Sequence, residues 1–370
     1  MVSARRRAVV MVLVLLAASC SSSASDPESA PTTTTTTQVT TTTTTSPPTA
    51  PASTAPTTST APEAPDVRVA TINLLHGLEL PGSCAPGTDQ CAAPARLDML
   101  WDRIETEIGC PDVVALQEIS PRQWELVPAT LGDLCDGRYT LLGENLGAPD
   151  QEMILTDLEV IDDRFVPLSG PPWSAHWAQL ESDIGVIDVF ATHYASSAFN
   201  PDCDGTDLCA PECEVGVELG TCNAVETLTF LDANADPAGV QLVIGDLNKE
   251  IDDPRMQTLT DEGFVDVFAL AGLPECDPET GEWCTSGIGS DSDLDGLDDP
   301  DQRFGSRIDF ILVRTPRTSD ELCNQVDTAD DADGDGTPTG LWANTPSPEP
   351  VDGVVWPSDH AGVVVDLSCT

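Results

Sequence analysis

The sequence predicts a fold of the α/β class in which large mixed sheets hold most of the folded chain. Two observations lead to this prediction. The folded part opens as strand, helix, strand and helix in succession, starting with VRVATINLL at Val67 to Leu75. After that opening, apolar runs typical of strands outnumber helical patterns, which favours mixed sheets over a doubly wound parallel sheet.

The first two helices and the second strand follow from local patterns. Residues 95–109 (ARLDMLWDRIETEIG) place apolar side chains at helical spacing and so predict an amphipathic helix. Residues 111–119 (PDVVALQEI) follow as a buried strand. Ser120 and Pro121 have the residue types of an N-cap and a first helical position, so they predict a second helix over 121–131.

The later elements are predicted mainly as strands. The segments are 151–156 (QEMILT), 185–195 (GVIDVFATHYA), 240–248 (VQLVIGDLN), 307–313 (RIDFILV) and 361–367 (AGVVVDL). One more helix is predicted around 223–234, ahead of the third of these strands. The last segment is rich in valine, as expected for a buried strand.

The first twenty residues have the pattern of an export signal. A basic start at Arg5, Arg6 and Arg7 precedes an apolar stretch over 8–16, and small residues lead to Cys20. That stretch is too short to remain as a membrane span. The sequence AASC resembles a bacterial lipobox, so lipidation of Cys20 and plain secretion both remain open. Either route predicts an exported bacterial protein, extracellular or held on the cell envelope as a lipoprotein.

Residues 21–65 are dominated by threonine, proline, serine and alanine. Such a segment cannot bury enough apolar surface to fold, so its composition predicts a disordered, semi-extended stalk. The remaining residues, 66–370, are enough for one large domain with insertions or for two small ones.

Cysteine usage agrees with export. The chain has 13 cysteines, and those after Cys20 are compatible with six disulfides in an oxidising compartment. Several pairs lie close in sequence, such as Cys84 with Cys91 and Cys276 with Cys284. The sequence leaves the connectivity open.

The charge of the chain is strongly acidic. The formal net charge is −48, from 15 basic and 63 acidic residues, and Lys249 is the single lysine. Charge of this size repels a polyanion at long range, so tight nonspecific binding to duplex DNA is disfavoured. Adaptation to salt or to solubility is the alternative explanation, and it requires no partner.

Polar residues that can carry chemistry stand at the loop-facing ends of several predicted strands. They are Asn73, Glu118, His193, Asp246 with Asn248, Asp309, and Asp359 with His360. A single carboxylate in such a place is usually a turn residue. A succession of them along the chain indicates a site at one edge of the sheets.

The motifs TINLLHG, ALQEI, ATHYAS, VIGDLN, RIDFILV and SDHAGV, in this order, resemble those of the endonuclease/exonuclease/phosphatase superfamily. That superfamily includes DNase I-like nucleases, neutral sphingomyelinases and inositol phosphatases. The match runs from Val67 to Leu367, and GDLN followed by SDH is its most specific part. The resemblance implies a four-layer α/β (α+β) sandwich: two mixed, mostly antiparallel sheets face each other, with helices outside. It also implies that 66–370 form one catalytic domain.

The resemblance implies metal and proton-transfer roles for five of the strand-end residues. Glu118, Asn73 and Asp359 would bind Mg²⁺ or Mn²⁺, hard cations that prefer oxygen ligands. His360, oriented by Asp309, would take a proton from the attacking water.

For Asp246 and Asn248, the resemblance implies that they orient the nucleophile and hold the phosphate. His193 would stabilise the phosphoryl oxygens or protonate the leaving group. The whole set predicts a secreted or surface-anchored phosphoesterase, first of all a phosphodiesterase, that uses metal- and histidine-activated water. Nucleic acid, phospholipid and small phosphoesters all remain open as substrates, and a monomer is expected.

Two acidic insertions, near 291–302 and 327–336, resemble calcium-binding loops. Each contains a D-x-D-x-D-G core, with Asp291, Asp293 and Asp295 in the first and Asp331, Asp333 and Asp335 in the second. Regular alternation closed by a turn glycine suits a structural Ca²⁺, and a solvated acidic loop is the alternative. These loops also leave a second functional hypothesis open, a calcium-stabilised surface binding module that keeps the fold without catalysis.

Overall fold

The structure, a computed structural model, describes residues 66–75, 92–147, 150–196, 200–204, 209–288, 295–315, 326–328 and 339–369. The chain divides into Met1–Ser59 and Thr60–Thr370, and every described residue belongs to the second unit. The predicted export signal and stalk therefore lie outside the described residues. So do the predicted calcium ligands, except that the backbone of Asp295 begins a short 3-10 turn (Asp295–Asp298).

Thirteen strands and five α-helices occur in the described part of the chain. The strands are β1 (Asp66–Asn73), β2 (Val113–Gln117), β3 (Thr140–Leu142), β4 (Met153–Thr156), β5 (Glu159–Pro167), β6 (Ser174–Ser182), β7 (Gly185–His193), β8 (Val240–Asp246), β9 (Val265–Asp266), β10 (Asp309–Arg314), β11 (Val326–Thr328), β12 (Gly340–Trp342) and β13 (Gly362–Cys369). The helices are α1 (Ala93–Thr106), α2 (Gln123–Thr130), α3 (Leu219–Asn234), α4 (Pro254–Asp261) and α5 (Val267–Ala271). None of these helices is long and apolar enough to cross a membrane.

The strands form two mixed sheets. The first has the order β11-β13-β1-β2-β4-β3, with β12 also paired to β13, and the second has the order β5-β6-β7-β8-β10-β9. Each sheet contains one parallel pair, β1 with β2 and β7 with β8, and the other described pairs are antiparallel. The sheets are therefore mixed, as the strand patterns predict, and mostly antiparallel, as the motif resemblance implies.

Apolar side chains separate the fold into layers. One cluster lies between the two sheets and joins residues such as Val69 of β1 to Val189 of β7. A second cluster packs the outer face of the first sheet against α1, where Ile104 is fully buried. A third packs the outer face of the second sheet against α3 and α4 through Leu231 and Met256. The order helix, sheet, sheet, helix confirms the predicted four-layer sandwich.

Strands β5 and β6 are elements that the sequence patterns did not predict. The side chains of β5 are mostly exposed or half-exposed, so this edge strand contains no apolar run of the kind that marks a buried strand. In β6, polar residues such as His176 and Gln179 interrupt the apolar pattern although most of the strand is buried. Burial here follows from the neighbouring strands and helix α3, which local sequence does not reveal.

Helix α2 begins at Gln123, two residues later than predicted, but Ser120 still caps it. The Ser120 hydroxyl accepts the Gln123 N–H at 3.2 Å, and the Gln123 side-chain oxygen accepts the Ser120 N–H at 2.7 Å. This reciprocal pair is a capping box, which satisfies backbone donors that a helix start otherwise leaves without partners.

Four disulfides join cysteines of the described segments. They are Cys110–Cys135, Cys203–Cys209, Cys213–Cys222 and Cys276–Cys284. The last of these is one of the two pairs singled out by closeness in sequence, and the other, Cys84 with Cys91, lies outside the described residues. Two of the disulfides, Cys203–Cys209 and Cys213–Cys222, crosslink the long connection between β7 and α3. This connection begins directly after His193.

Candidate active site

Strand pairing brings three of the predicted residues side by side. His193 ends β7, Asp246 ends β8, and these two residues are in register across the parallel pair. Asp309 begins β10 and is paired with Asp246 from the other side. Because adjacent strands lie about 4.8 Å apart, the three side chains fall in one row at the edge of the second sheet.

The first sheet supplies the facing residues at the same edge. Asn73 ends β1 opposite Gln117 of β2, and Glu118 follows directly. Glu118 and Asn248 both adopt left-handed backbone conformations, with φ values of 57° and 58°. Such conformations cost a non-glycine residue energy and cluster at functional sites, here where the chain turns out of a strand. At Asn248, a hydrogen bond of 2.8 Å from its N–H to Asp246 Oδ1 fixes the turn.

His360 and Asp309 form a buried pair. Asp309 Oδ2 lies 2.8 Å from His360 Nδ1, so Nδ1 donates to the carboxylate. The other ring nitrogen, Nε2, lies 3.9 Å from Asp246 Oδ2 and 3.5 Å from the Ser286 hydroxyl. Burial alone would lower the pKa of His360, but Asp309 and then Asp359 outweigh it and raise the pKa well above its usual range. The ring is thus oriented by Asp309 with Nε2 as its remaining proton-transfer atom.

His193 forms a second pair of the same kind, with Asp150. Its Nδ1 lies 3.0 Å from the Asp150 carboxylate, and its Nε2 lies 2.7 Å from the Asn248 amide nitrogen, 3.5 Å from Asp246 and 3.9 Å from Glu118. Burial opposes protonation of this ring as well, yet Asp150 and then Asp246 and Glu118 raise its pKa to about 10. A cation that neutralised these carboxylates would bring both histidine pKa values down toward neutrality.

Carboxylates are concentrated between the two histidines. The Asn73 amide donates to Glu118 Oε1 at 2.9 Å and to Asp246 Oδ2 at 3.1 Å, so it aligns two of them. Burial, and next the charge of Asp309, raise the pKa of Asp246 to about 6. Burial also raises the pKa of Asp359, and Glu118 adds to the shift. The site therefore holds more negative charge than its own donors neutralise.

This donor set fits a hard divalent cation. Two overlapping groups each bring three ligand atoms within 4.8 Å of one another: Glu118, His193 and Asp246, and then Asp246, Asp309 and His360. Carboxylate oxygens predominate in both, as Mg²⁺ or Mn²⁺ requires. Within the described segments, Asp309 Oδ1 is buried without a hydrogen-bond partner, which leaves it in need of a positive charge.

Arg96 of α1 lies directly behind the metal-side loops. The residue is 2% exposed, and its guanidinium donates to the carbonyls of Leu74 at 2.6 Å, Leu75 at 2.9 Å and Pro357 at 3.1 Å. Burial lowers the pKa of Arg96 to about 10, while the nearby charge of Asp359 opposes the shift. One buried cation thus ties the loop after Asn73 to the loop before Asp359.

Arg255 of α4 makes an equivalent connection behind the second sheet. It is fully buried and donates to the carbonyls of Ala195 and Leu247, both at 2.9 Å. Ala195 follows His193 by two residues, and Leu247 lies between Asp246 and Asn248. The loops that carry these residues are therefore held together from beneath.

All eight residues predicted to form the site come together at this one edge, although their individual roles stay predictions. They are Asn73, Glu118, His193, Asp246, Asn248, Asp309, Asp359 and His360. Asn73 presents its amide nitrogen to the carboxylates, while its oxygen accepts the Leu75 N–H at 2.9 Å. It therefore aligns Glu118 in this structure, and a ligand role would need the amide to turn over.

Sequence reasoning missed several contributors to the site, among them Asp150 and Thr285. Asp150, the partner of His193, lies in the loop before β4, and its one sequence signal is a carboxylate just ahead of an apolar strand. Thr285 is fully buried, its hydroxyl accepts the Asp309 N–H at 3.2 Å, and its carbonyl accepts the Ala361 N–H at 2.7 Å. It thus connects the segments that carry Asp309 and His360, and no local pattern marks it.

Replacing Asp150 by asparagine is expected to lower kcat for phosphoester hydrolysis about 10-fold, since the amide can hold the ring but carries no charge to stabilise it when protonated. Steady-state kinetics and the melting temperature would be measured together. Asp163→Asn is the matched control. Asp163 also pairs with a histidine, His176, at a distance of 3.1 Å, but this pair lies outside the site. An unchanged kcat in Asp150→Asn would contradict a role for the Asp150–His193 pair in the reaction.

No family model matches the sequence, and no curated protein matches it. Solved structures do match. An endonuclease/exonuclease/phosphatase from Bacteroides vulgatus is 18% identical, with 82% of this chain and 99% of that chain covered and a TM-score of 0.53. An endonuclease/exonuclease/phosphatase family protein from Bacteroides thetaiotaomicron is 14% identical, with 83% and 99% covered and a TM-score of 0.55.

A third solved structure, D. rerio TDP2 complexed with a single-strand DNA product, is 14% identical, with 82% of this chain and 99% of that chain covered and a TM-score of 0.53. Identities this low show the fold and not the activity. The chain therefore has the DNase I-like fold of endonuclease/exonuclease/phosphatase proteins, which confirms at the level of fold the resemblance that its motifs carry.

Proposed function

We propose that this protein is a metal-dependent hydrolase of phosphate esters, with a phosphodiester as its favoured substrate. One observation carries the proposal: two histidine–carboxylate pairs, His360 with Asp309 and His193 with Asp150, lie within 4 Å of the same carboxylate, Asp246. A proton acceptor and a proton donor on either side of a cation site are what phosphoester hydrolysis requires. The shared fold with endonuclease/exonuclease/phosphatase proteins supports this assignment.

The residues that would hold the metal are Glu118, Asp246 and Asp359. When bound, Mg²⁺ or Mn²⁺ supplies positive charge that stabilises the phosphoryl oxygens and the leaving oxygen. The bound cation would also stabilise the ionised carboxylates, because it would relieve their mutual repulsion in the buried cluster.

The side chains of this chain carry the proton transfers. His360 Nε2 takes a proton from the attacking water, and the Asp309 carboxylate stabilises the imidazolium that forms. The Asn248 amide orients the phosphoryl group. When that amide turns from His193 Nε2, 2.7 Å from its nitrogen in this structure, toward the phosphate, the protonated His193, held by Asp150, stabilises the phosphoryl oxygens or protonates the leaving oxygen. Both rings start from one fixed orientation, so little reorganisation accompanies the reaction.

The test is hydrolysis of bis(p-nitrophenyl) phosphate by the full chain, with Mg²⁺ and then with excess EDTA. We expect Mg²⁺-dependent release of p-nitrophenol. Glu118→Gln should raise the Mg²⁺ concentration needed for half-maximal rate at least about 10-fold, as loss of a supporting contact at a metal site already does. Mn²⁺ binding measured by calorimetry should weaken in parallel.

Glu125→Gln is the control, because Glu125 is exposed on α2 and pairs only locally with Arg122 at 2.9 Å. A folded chain that neither binds Mn²⁺ nor hydrolyses the ester would contradict the proposal. A chain that binds the metal but hydrolyses no phosphoester would favour the alternative, a non-catalytic binding module on the same fold.

Export and anchoring are proposals that rest on other features. The signal-like residues 1–20, the lipobox-like AASC and the disulfides of the described segments support an extracellular or lipid-anchored protein. A structural Ca²⁺ at the two acidic insertions is likewise a proposal, supported by the D-x-D-x-D-G spacing.

A further inference from the structure

We propose that the active site selects phosphate esters with a single negative charge, on a neutral or cationic alcohol, and rejects polyanions such as DNA and RNA. This inference rests on the proposed phosphoesterase function and assigns its substrate class. It follows from where the few cationic side chains of the chain are placed.

Five of the eleven lysine and arginine side chains in the described segments are buried arginines, and all five are bonded within the protein. They are Arg96, Arg103, Arg255, Arg307 and Arg314. Arg307, for example, donates to Asp266 at 2.7 Å and Arg314 donates to Asp232 at 3.0 Å. Buried guanidinium groups with such partners cannot reach the phosphates of a long substrate.

Three further arginines lie away from the site. Arg68 is near the start of β1, at the end opposite Asn73, and bonds to Asp366. Arg138 bonds to Asp157 near the start of β2, and Arg164 is on the edge strand β5. Arg68 and Arg138 therefore lie at the end of the strands opposite the site, and Arg164 is engaged by Asp162 and Asn234.

The last three described cations are within six residues of a site residue, and each has an acidic residue near it in space or in sequence. Arg122 pairs with Glu125 at 2.9 Å. Lys249 lies 3.8 Å from Asp253. Arg303 stands in the sequence DDPDQR, which has three aspartates.

The residues that the structure does not describe place no lysine or arginine directly beside the site residues along the chain. The stretches 76–91, 197–199, 205–208 and 289–294 contain neither lysine nor arginine, and Arg317 is the one lysine or arginine in 66–370 that the structure does not describe. Proteins that bind polynucleotides draw most of their affinity from lysine and arginine contacts to several phosphates. Here a bound metal and the two histidines would serve one phosphate, and exposed carboxylates next to the site, such as Glu250 and Asp252, would repel a second.

The experiment compares four p-nitrophenyl esters, from each of which hydrolysis by the full chain releases p-nitrophenol. One is thymidine 5′-(p-nitrophenyl phosphate), and one carries the same ester at the 5′ end of a ten-nucleotide oligothymidylate. The third is p-nitrophenyl phosphorylcholine, and the fourth is its isostere, in which a neutral 3,3-dimethylbutyl group replaces choline and the phosphate keeps its charge. At low ionic strength we expect kcat/KM for the oligonucleotide ester to be about 100-fold lower than for the single nucleotide ester. The choline ester should have a kcat/KM at least equal to that of its isostere.

Salt and charge reversal give the second readout. Raising the salt concentration should close the gap between the two nucleotide esters, because screening weakens repulsion between exposed charges. The double variant Glu250→Lys with Asp252→Lys changes exposed residues beside Lys249 and should raise kcat/KM for the oligonucleotide ester about 10-fold while leaving the single nucleotide ester unchanged.

Two results would overturn the inference. One is an oligonucleotide ester that is hydrolysed as well as the single nucleotide ester at low salt. The other is a salt effect of equal size on both nucleotide esters, which would make the acidity an adaptation to salt alone. Failure of every ester, in a chain that is folded by circular dichroism, contradicts the phosphoesterase proposal itself and so is distinguishable from these two results.

Discussion

Replacing His360 by asparagine is expected to lower kcat for phosphodiester hydrolysis about 10³-fold, because the side chain that accepts the proton from water is lost. Asparagine is chosen since its amide nitrogen can still donate to Asp309, whose oxygen lies 2.8 Å from His360 Nδ1. The buried Asp309 carboxylate thus keeps a hydrogen-bond partner. The variant therefore tests proton transfer and not the stability of the fold. Steady-state kinetics at saturating Mg²⁺, together with the melting temperature, measure the result.

His176→Asn is the matched control for that variant. His176 is also buried and also paired with an aspartate, Asp163, at 3.1 Å, but it lies in β6 outside the site. We expect this substitution to lower the melting temperature without changing kcat. A His360→Asn variant that keeps more than about a tenth of the wild-type kcat would show that the histidine is not the proton acceptor, since general base catalysis contributes at least about 10²-fold.

Those site residues that end strands were predictable from the sequence. Asp246 and His193 follow directly on apolar runs that are long enough to be buried strands, so their positions at a sheet edge follow from local pattern. The motif order added what local pattern could not, namely that strands far apart in the chain meet at one edge. Together these predicted both sheets and the eight residues that converge.

Residues that support the site from loops and helices were not predictable in this way. Asp150 and Thr285 lie in loops, where no periodicity indicates which way a side chain points. Arg96 and Arg255 lie in helices, where a charged residue is normally assigned to the exposed face, yet both are buried. Their burial depends on loop carbonyls brought in by other parts of the fold, and only the three-dimensional structure shows those partners.

Arg96→Gln is expected to raise the Mg²⁺ concentration needed for half-maximal activity about 10- to 100-fold, the range found when supporting contacts of a metal site are lost. The physical reason is that Arg96 joins the loop after Asn73 to the loop before Asp359 through the carbonyls of Leu74, Leu75 and Pro357. Without it, the two sets of carboxylates are no longer held at a fixed separation. The Mg²⁺-induced rise in melting temperature should shrink in parallel, and this readout does not depend on activity.

Stability alone cannot establish this role, because truncating a buried arginine leaves its partners unpaired, and removing one partner of a buried ion pair costs about 3–5 kcal/mol. Arg314→Gln supplies the comparison: Arg314 is equally buried and bonds to Asp232 and Gln241, near the end of β10 opposite Asp309. It should lower the melting temperature and leave the Mg²⁺ dependence unchanged. Arg96→Lys keeps the charge but has a single nitrogen that cannot reach both loops, so an intermediate Mg²⁺ dependence is expected. If Arg96→Gln loses stability with wild-type Mg²⁺ dependence, the arginine supports the fold and does not position the metal ligands.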